Sequence, residues 1–422
     1  MMNIALKEDD RDYAEWVGKD RVRTPVYSDP SLFEAEMEKI FSKTWVWVGH
    51  VSEVPDKGSF KTSWVGTQPV IISRDRKGDL HVLVNRCRHR AATVCEHTRG
   101  KTSSFQCPYH GWGYALDGSL RGVPYSEGYD ETFDRSQFAL KRLKVDVYAG
   151  MIFASFNGDV EPLEDFLGNA RRWIDLFMKQ GGGFPVKVNG EHQFQFPGNW
   201  KIQLENTTDA YHFPVVHKPF LQSLDSETEE LFSFLGGDGF VEDLGNGHSV
   251  MVMMPSLIDL DGEGWEIPDR FAELAEQLRG RYDEDQVCRI VKAVGGVGFN
   301  LNLFPNVACS LSFFRVLHPV SADRTDIRHL ALGMEGGPEE ANQMRLRLHE
   351  HFQGPMGFGS PDDAEVWERV QRGTAGAPEL DIMVNRGDGL EKPGPNGLPQ
   401  GDVSAETGMR AAYAMWKRMM SQ

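Results

Sequence analysis

The chain has 422 residues, 40% of them hydrophobic and 25% charged, the make-up of a globular protein long enough for two cores. A formal net charge of −17 argues against nucleic acid or an anionic membrane as partner. No apolar run is long enough to cross a bilayer, and the opening MMNIALKEDDRDYAEW lacks a basic stretch followed by an apolar one. Five cysteines, an odd number in a long chain, argue against a disulfide framework, so the expected setting is the reducing cytoplasm.

Residues 1–44 read as a helical segment that packs on the C-terminal domain, clearest in SLFEAEMEKIFSKTWVWVG. Ser31 is its candidate N-cap, with Glu34 three residues on. From Trp45 the texture changes to short β-rich runs (TSWVGTQPVIISRD, LHVLVNRC, VDVYAGMIFASF) broken by turns such as Asp117-Gly118, giving an all-β domain over 45–157. A second domain occupies 158–422. It opens with a linker and a helix, LEDFLGNARRWIDLFMKQ, stopped by Gly181-Gly182-Gly183. A strand KVNGEHQFQFP and a helix from Asn199 follow. The late strands, NLNLFPNVACSLSFFRVLHPV and DIRHLALGMEGG, predict a large antiparallel sheet covered by helices, so the class is α+β. Residues 387–404 read as a polar Gly/Pro loop, and ETGMRAAYAMWKRMM as a closing amphipathic helix.

Within the β domain, Cys87-Arg88-His89 is followed after seventeen residues by Cys107-Pro108-Tyr109-His110. Two thiolates for one iron and two imidazoles for the other are what a Rieske [2Fe–2S] centre requires. Gly100, Pro108, Gly111, Gly113 and Gly118 let the loops turn tightly enough for backbone N–H groups to reach the sulfurs. The same four donors could hold zinc. Zinc fingers, however, usually group cysteines first and histidines second, whereas each pair here mixes the types. Cys95, Cys288 and Cys309 have no paired spacing and read as ordinary buried thiols.

A second ligand-rich segment runs from Asn199 to His217. On a continuous helix Glu205, Asp209 and His212 share one face, which sets a carboxylate beside an imidazole. His217 would point away from that face. Pro214 therefore predicts a helix that ends or distorts near His212, bringing His217 to the same ion. Two histidines and one carboxylate form the facial triad of O2-activating Fe(II) sites. The carboxylate is sought in Gly354–Glu365, where Asp362 and Asp363 open a helix. Spacing alone leaves the choice between these two open. No G-x-G-x-x-G follows a strand, so the nicotinamide donor must bind a separate chain.

From Trp45 to the end, the chain resembles the large (α) subunit of Rieske non-haem iron aromatic-ring-hydroxylating oxygenases. The resemblance rests on C-R-H…C-P-Y-H-G-W, on N-W-K…E-N-x-x-D-x-Y-H-x-x-x-x-H and on G-P-x-G-F…D-D…Q-R-G. It implies that Cys87, His89, Cys107 and His110 hold a [2Fe–2S] cluster. It likewise implies that His212, His217 and Asp363 bind mononuclear Fe(II) while Asp362 caps the helix. Glu205 and Asn206 match supporting positions around the iron, and Asp209 matches an acid that links the two centres across a subunit boundary. The implied assembly is a homotrimer or α3β3 with a small subunit. Electrons would come from an NAD(P)H reductase, with or without a ferredoxin. The E-N-x-x-D spacing looks most like the benzoate, anthranilate, terephthalate and salicylate branch, hence a small aromatic carboxylate as substrate. A carboxylate needs a cation in an apolar pocket. Arg315 and Arg410 are the candidates.

Overall fold

The computed structural model describes residues 13–224, 235, 237–261 and 265–422. The first twelve residues of the expected N-terminal helical segment lie outside them. The chain forms two compact units: Phe41–Phe166, and the described residues up to Ile40 together with Leu167–Gln422.

The unit Phe41–Phe166 is built of short antiparallel strands in three sheets. A four-stranded sheet takes Leu80–Val84, Gln68–Arg74, Ser59–Val65 and Arg99–Lys101 in that order. One three-stranded sheet holds Phe105–Gln106, Gly113–Tyr114 and Leu120–Gly122, the other Lys144–Tyr148, Met151–Ser155 and Val46–His50. The core between them contains Phe60, Ile71, Leu83, Trp112, Tyr114 and Leu140, and it includes Cys87 and Cys107.

In the larger unit a nine-stranded antiparallel sheet runs in the order Val186–Phe196, Arg324–Met334, Phe313–Ser321, Val307–Ser310, Phe299–Leu303, His248–Val252, Phe240–Gly245, Pro399–Asp402 and Lys392–Pro393. Residues directly opposite across neighbouring strands share a face. One row therefore crosses the sheet through His192, His329, Arg315, Ala308, Asn302 and Ser249. The helix Trp200–Thr207 is tied to this sheet: Asn302 Nδ2 donates to the Leu204 carbonyl at 2.9 Å and Asn300 Nδ2 to that of Thr207 at 3.2 Å. Side chains of the sheet thus satisfy carbonyls that a helix end leaves open.

Several local expectations need correcting. The helix Pro30–Glu36 is capped by Asp29, not Ser31; the Asp29 carboxylate accepts from the backbone N–H of Ser31 at 2.8 Å. Pro30 occupies the first helical position, where a missing N–H costs nothing, so the cap falls just before it. The helix expected over LEDFLGNARRWIDLFMKQ is two, Leu163–Leu167 and Ala170–Met178, broken at Gly168 with φ +48. The boundary between the units falls there. The Gly/Pro segment 387–404 contains the strands Lys392–Pro393 and Pro399–Asp402, which extend the sheet edge through pairing with Phe240–Gly245. Cys95 and Cys309 are buried, but Cys288 is only half-buried.

Candidate metal centres

The two Cys-His segments fold into matching loops. In the first, the Cys87 N–H donates to the Ala92 carbonyl and the Ala91 N–H to that of Cys87. In the second, Cys107 and Gly111 repeat both bonds with Trp112 and Cys107. Ala91 and Gly111 hold the same left-handed conformation, φ +63 and +71, which glycine adopts without strain. Each turn aims backbone N–H groups at a sulfur: those of His89 and Arg90 at Cys87, those of Tyr109 and His110 at Cys107.

Both thiols are buried, 2% exposed each, while the imidazoles of His89 and His110 stand side by side at the half-buried rim, 4.5 Å between centroids. Trp112 stacks on His89 at 5.0 Å. Tyr114 places its hydroxyl 3.3 Å from the Cys87 sulfur. Burial pushes the Cys87 thiol up, but this hydroxyl and the backbone donors outweigh it and hold the group below its ordinary value. Buried sulfurs already bonded to N–H groups, and a buried His89 Nδ1 with no partner among the described residues, fit a two-iron cluster that Cys87, Cys107, His89 and His110 would hold.

The second centre is assembled from three segments. The helix carrying Asn206 is capped by Asn199, whose side chain accepts from the Lys201 N–H, and it ends at Thr207. This is earlier than expected, so Glu205, Asp209 and His212 do not share a helical face. Asp209 instead accepts from the backbone N–H of Tyr211 at 2.7 Å and of His212 at 3.2 Å, shaping the turn that presents His212. Pro214 does not stop a helix; it occupies the first turn of a new short one, Phe213–Val216, which delivers His217. Asp363 comes from the first turn of Ser360–Gly376. The residue preceding that helix is Gly359, so Asp362 lies within the first turn and does not cap it.

Asp363 Oδ1 lies 3.4 Å from His212 Nε2 and 3.2 Å from His217 Nε2. The ligand atoms of His212, His217 and Asp363 all lie within 4.8 Å of one another, close enough for the trio to hold a single divalent cation. Asn206 Nδ2 is 3.3 Å from both His212 Nε2 and Asp363 Oδ1, so its amide reaches two members of the trio. Burial opposes charge on His212, but Asp209 and Asp363 overcome this and raise its pKa to about 9. Burial likewise opposes the Asp363 carboxylate, and the two histidines overcome it, holding the group well below its usual range. An excess of negative charge is thus gathered around the imidazoles, as a cation site needs. Asp209 Oδ2 approaches His212 Nδ1 only to 3.6 Å.

Glu205 takes no part in this cluster. Its carboxylate accepts from Tyr27 at 2.6 Å and from Tyr413 beside a cavity on the other side of the helix. Of the two arginines, Arg315 lines the cavity beside the metal trio, with Phe213, Met251, Leu311 and Phe352 forming apolar wall. Arg410 does not reach it; its guanidinium donates to the carbonyls of Val384 and Arg386 and pairs with Glu391. Sequence reasoning did not find Tyr114, nor Thr207, His329 and Gln353 around Arg315, because none belongs to a spaced motif.

The chain is similar to known proteins along most of its length. Residues 44–142 match the Rieske [2Fe-2S] domain, and residues 185–422 match the ring hydroxylating alpha subunit (catalytic domain). The chain belongs to the ring-hydroxylating α-subunit family. It is 34% identical to the anthranilate 1,2-dioxygenase large subunit of Acinetobacter baylyi, over 87% of this chain and 80% of that one. It is 32% identical to the toluate 1,2-dioxygenase subunit alpha of Pseudomonas putida, over 88% and 83%. Its fold is similar to that of naphthalene 1,2-dioxygenase with indole bound in the active site: TM-score 0.82, 25% identity, 99% and 95% coverage. This Rieske α subunit is therefore an oxidoreductase with a [2Fe–2S] domain and an iron-type catalytic domain. Family members act as terminal oxygenases served by a reductase and ferredoxin, and form oligomers. Among the described residues no helix is long and apolar enough to cross a membrane.

Proposed function

We propose that this chain is the oxygenase component of a dioxygenase that hydroxylates the ring of a small aromatic carboxylate. The observation that carries the substrate class is Arg315. Arg315, 4% exposed, lines the same cavity as His212, His217 and Asp363. A buried cation facing apolar wall selects an anionic group on an otherwise apolar molecule. Phe213, Met251, Leu311 and Phe352 then receive the ring and exclude water, and orient one edge toward the metal trio. Similarity to anthranilate and toluate dioxygenase subunits supports the same class.

Cys87 and Cys107, with His89 and His110, hold the cluster in this reading; His212, His217 and Asp363 hold Fe(II). When bound, the cluster supplies single electrons and the Fe(II) supplies O2 activation. Asn206 donates to Asp363 Oδ1 and steadies that carboxylate beside the two histidines. Asp209 orients His212 and, in a homotrimer with or without a small subunit, bonds to His110 of the neighbouring subunit. Arg410, paired with Glu391, is structural. Electrons originate from NAD(P)H on a separate reductase, and the setting is the cytoplasm, in keeping with cysteines that form no disulfide among the described residues.

The test uses purified protein, a generic reductase, NADH and ¹⁸O2, with benzoates and uncharged single rings offered in parallel. Carboxylated rings are expected to gain two labelled atoms; equal turnover of neutral rings would refute the role of Arg315. In the same series Asp363→Ala is expected to lose the mononuclear iron, leaving two irons per chain and an unchanged cluster spectrum. Loss of both would refute the ligand assignment.

A further inference from the structure

Arg315 is held by three groups that no motif announces. Its Nη1 donates to Thr207 Oγ1 at 3.3 Å, at the end of the helix carrying Asn206. Nη2 donates to Gln353 Oε1 at 3.0 Å, an oxygen that also accepts from Ser360 Oγ at 2.9 Å. Nε donates to His329 Nε2 at 3.0 Å. A guanidinium has five N–H groups. Among the described residues these contacts use three and leave one on each terminal nitrogen.

His329 sits directly opposite Arg315 in the strand ladder and is fully buried. Its other nitrogen, Nδ1, donates to the Gln353 carbonyl at 3.3 Å. That bond fixes the tautomer: the proton is on Nδ1, and Nε2 offers a lone pair to the arginine. Phe194 meets the imidazole edge-on at 5.1 Å and Phe313 packs on it at 4.9 Å, so the ring cannot swing away. Burial and the adjacent guanidinium keep it uncharged. A protonated imidazole would lose the bond and set two like charges side by side.

We propose that His329 is a positioning residue for substrate selection: through its neutral Nε2 it fixes the plane of the Arg315 guanidinium, so that the two unengaged N–H groups are presented as a pair to the carboxylate of an aromatic acid. This rests on the reading of Arg315 given above. Pre-orientation matters because a bidentate carboxylate contact requires both N–H groups in one plane with both oxygens. Without the Nε contact the guanidinium can tilt, and a substrate must then hold it in place at its own cost.

The experiment compares holoenzymes carrying His329→Leu, His329→Gln and Arg315→Gln. It measures equilibrium binding of benzoate, 2-aminobenzoate, terephthalate and toluene by calorimetry, and KM and kcat for the carboxylate that binds best. The expected result is a rise of about tenfold or more in Kd and KM for the carboxylate in His329→Leu, the loss of one charged hydrogen bond. In that variant kcat should change by less than about threefold, as expected when binding is lost equally in ground and transition states, and toluene binding should not move. His329→Gln, which restores an acceptor, should recover most of the loss. Arg315→Gln abolishing the carboxylate preference while His329→Leu leaves it intact overturns the role of His329 and spares the substrate class. If Arg315→Gln also leaves the preference intact, or the parent protein prefers no carboxylate, the substrate class and this inference fall together. Iron content and the far-UV spectrum qualify each variant. Should His329→Leu not fold, His329→Asn, whose amide ends short of Nε, is read against the same outcomes.

Discussion

Glu205 offers a stability test whose sign is fixed by its surroundings. Its carboxylate lies beneath the site helix between the hydroxyls of Tyr27 and Tyr413, whose oxygens are 2.5 Å apart. Burial drives its pKa up to about 7; the two tyrosines and Lys201 pull the other way, and Glu406 adds to the rise. The unfolded chain would ionise this group near 4.5. Between these values the folded state holds a proton that the unfolded state has released, so stability falls as pH rises through the interval. The full difference corresponds to roughly 3 kcal/mol of stability lost by pH 8. Glu205→Gln keeps an acceptor for both tyrosines and removes the titration. The stability difference between variant and parent should be small at pH 5 and should grow to about 3 kcal/mol in favour of the variant at pH 8. Urea unfolding followed by tryptophan fluorescence reads both values, and subtracting the two proteins cancels every other titrating group. Parallel curves from pH 5 to pH 8 would show that the carboxylate is ionised throughout.

Other perturbations address the rest of the molecule. Tyr114→Phe removes the hydroxyl beside the Cys87 sulfur; one hydrogen bond of about 0.5–1.5 kcal/mol is roughly 20–60 mV in a one-electron couple, so the cluster potential should drop by that amount in a redox titration. Lys201→Met strands the Glu36 carboxylate, which otherwise receives Lys201 Nζ at 2.6 Å, Trp200 Nε1 at 2.9 Å and Trp416 Nε1 at 2.6 Å. Breaking such a buried pair should cost about 3–5 kcal/mol in denaturant unfolding, and adding Glu36→Gln should restore much of it; an additive double mutant would mean the ion pair is not coupled.

Much of this was legible in the sequence because the informative residues are close together along the chain. Cys87 and His89, or Cys107 and His110, lie within one turn, so their spacing reports the loop directly. The strands 299–334 carry long apolar runs, and the closing helix Thr407–Met420 shows its buried stripe. Punctuation was harder. Asp29 and Ser31 are both good caps, and only the position of Pro30 separates them. Pro214 can end a helix or begin one, and the choice depends on where the previous helix stopped. That point, Thr207, is set by Asn300 reaching its carbonyl from a strand 93 residues away.

The least legible part is the part that decides selectivity. Arg315 meets His329, Gln353 and Thr207 at separations of 14, 38 and 108 residues. Each of these is an ordinary residue type in its own segment. Arg410 looked equally suited from its place in an amphipathic helix, yet its charge is spent on Glu391 and two carbonyls. The difference between an arginine that binds substrate and one that braces the fold is the number of N–H groups its neighbours leave unengaged and the cavity those groups face. Only the folded sheet, which sets His329 across from Arg315 and puts Ala308 on its other side, creates that condition. A small residue on one flank and a fixed acceptor on the other give the guanidinium room on the cavity side and a defined plane.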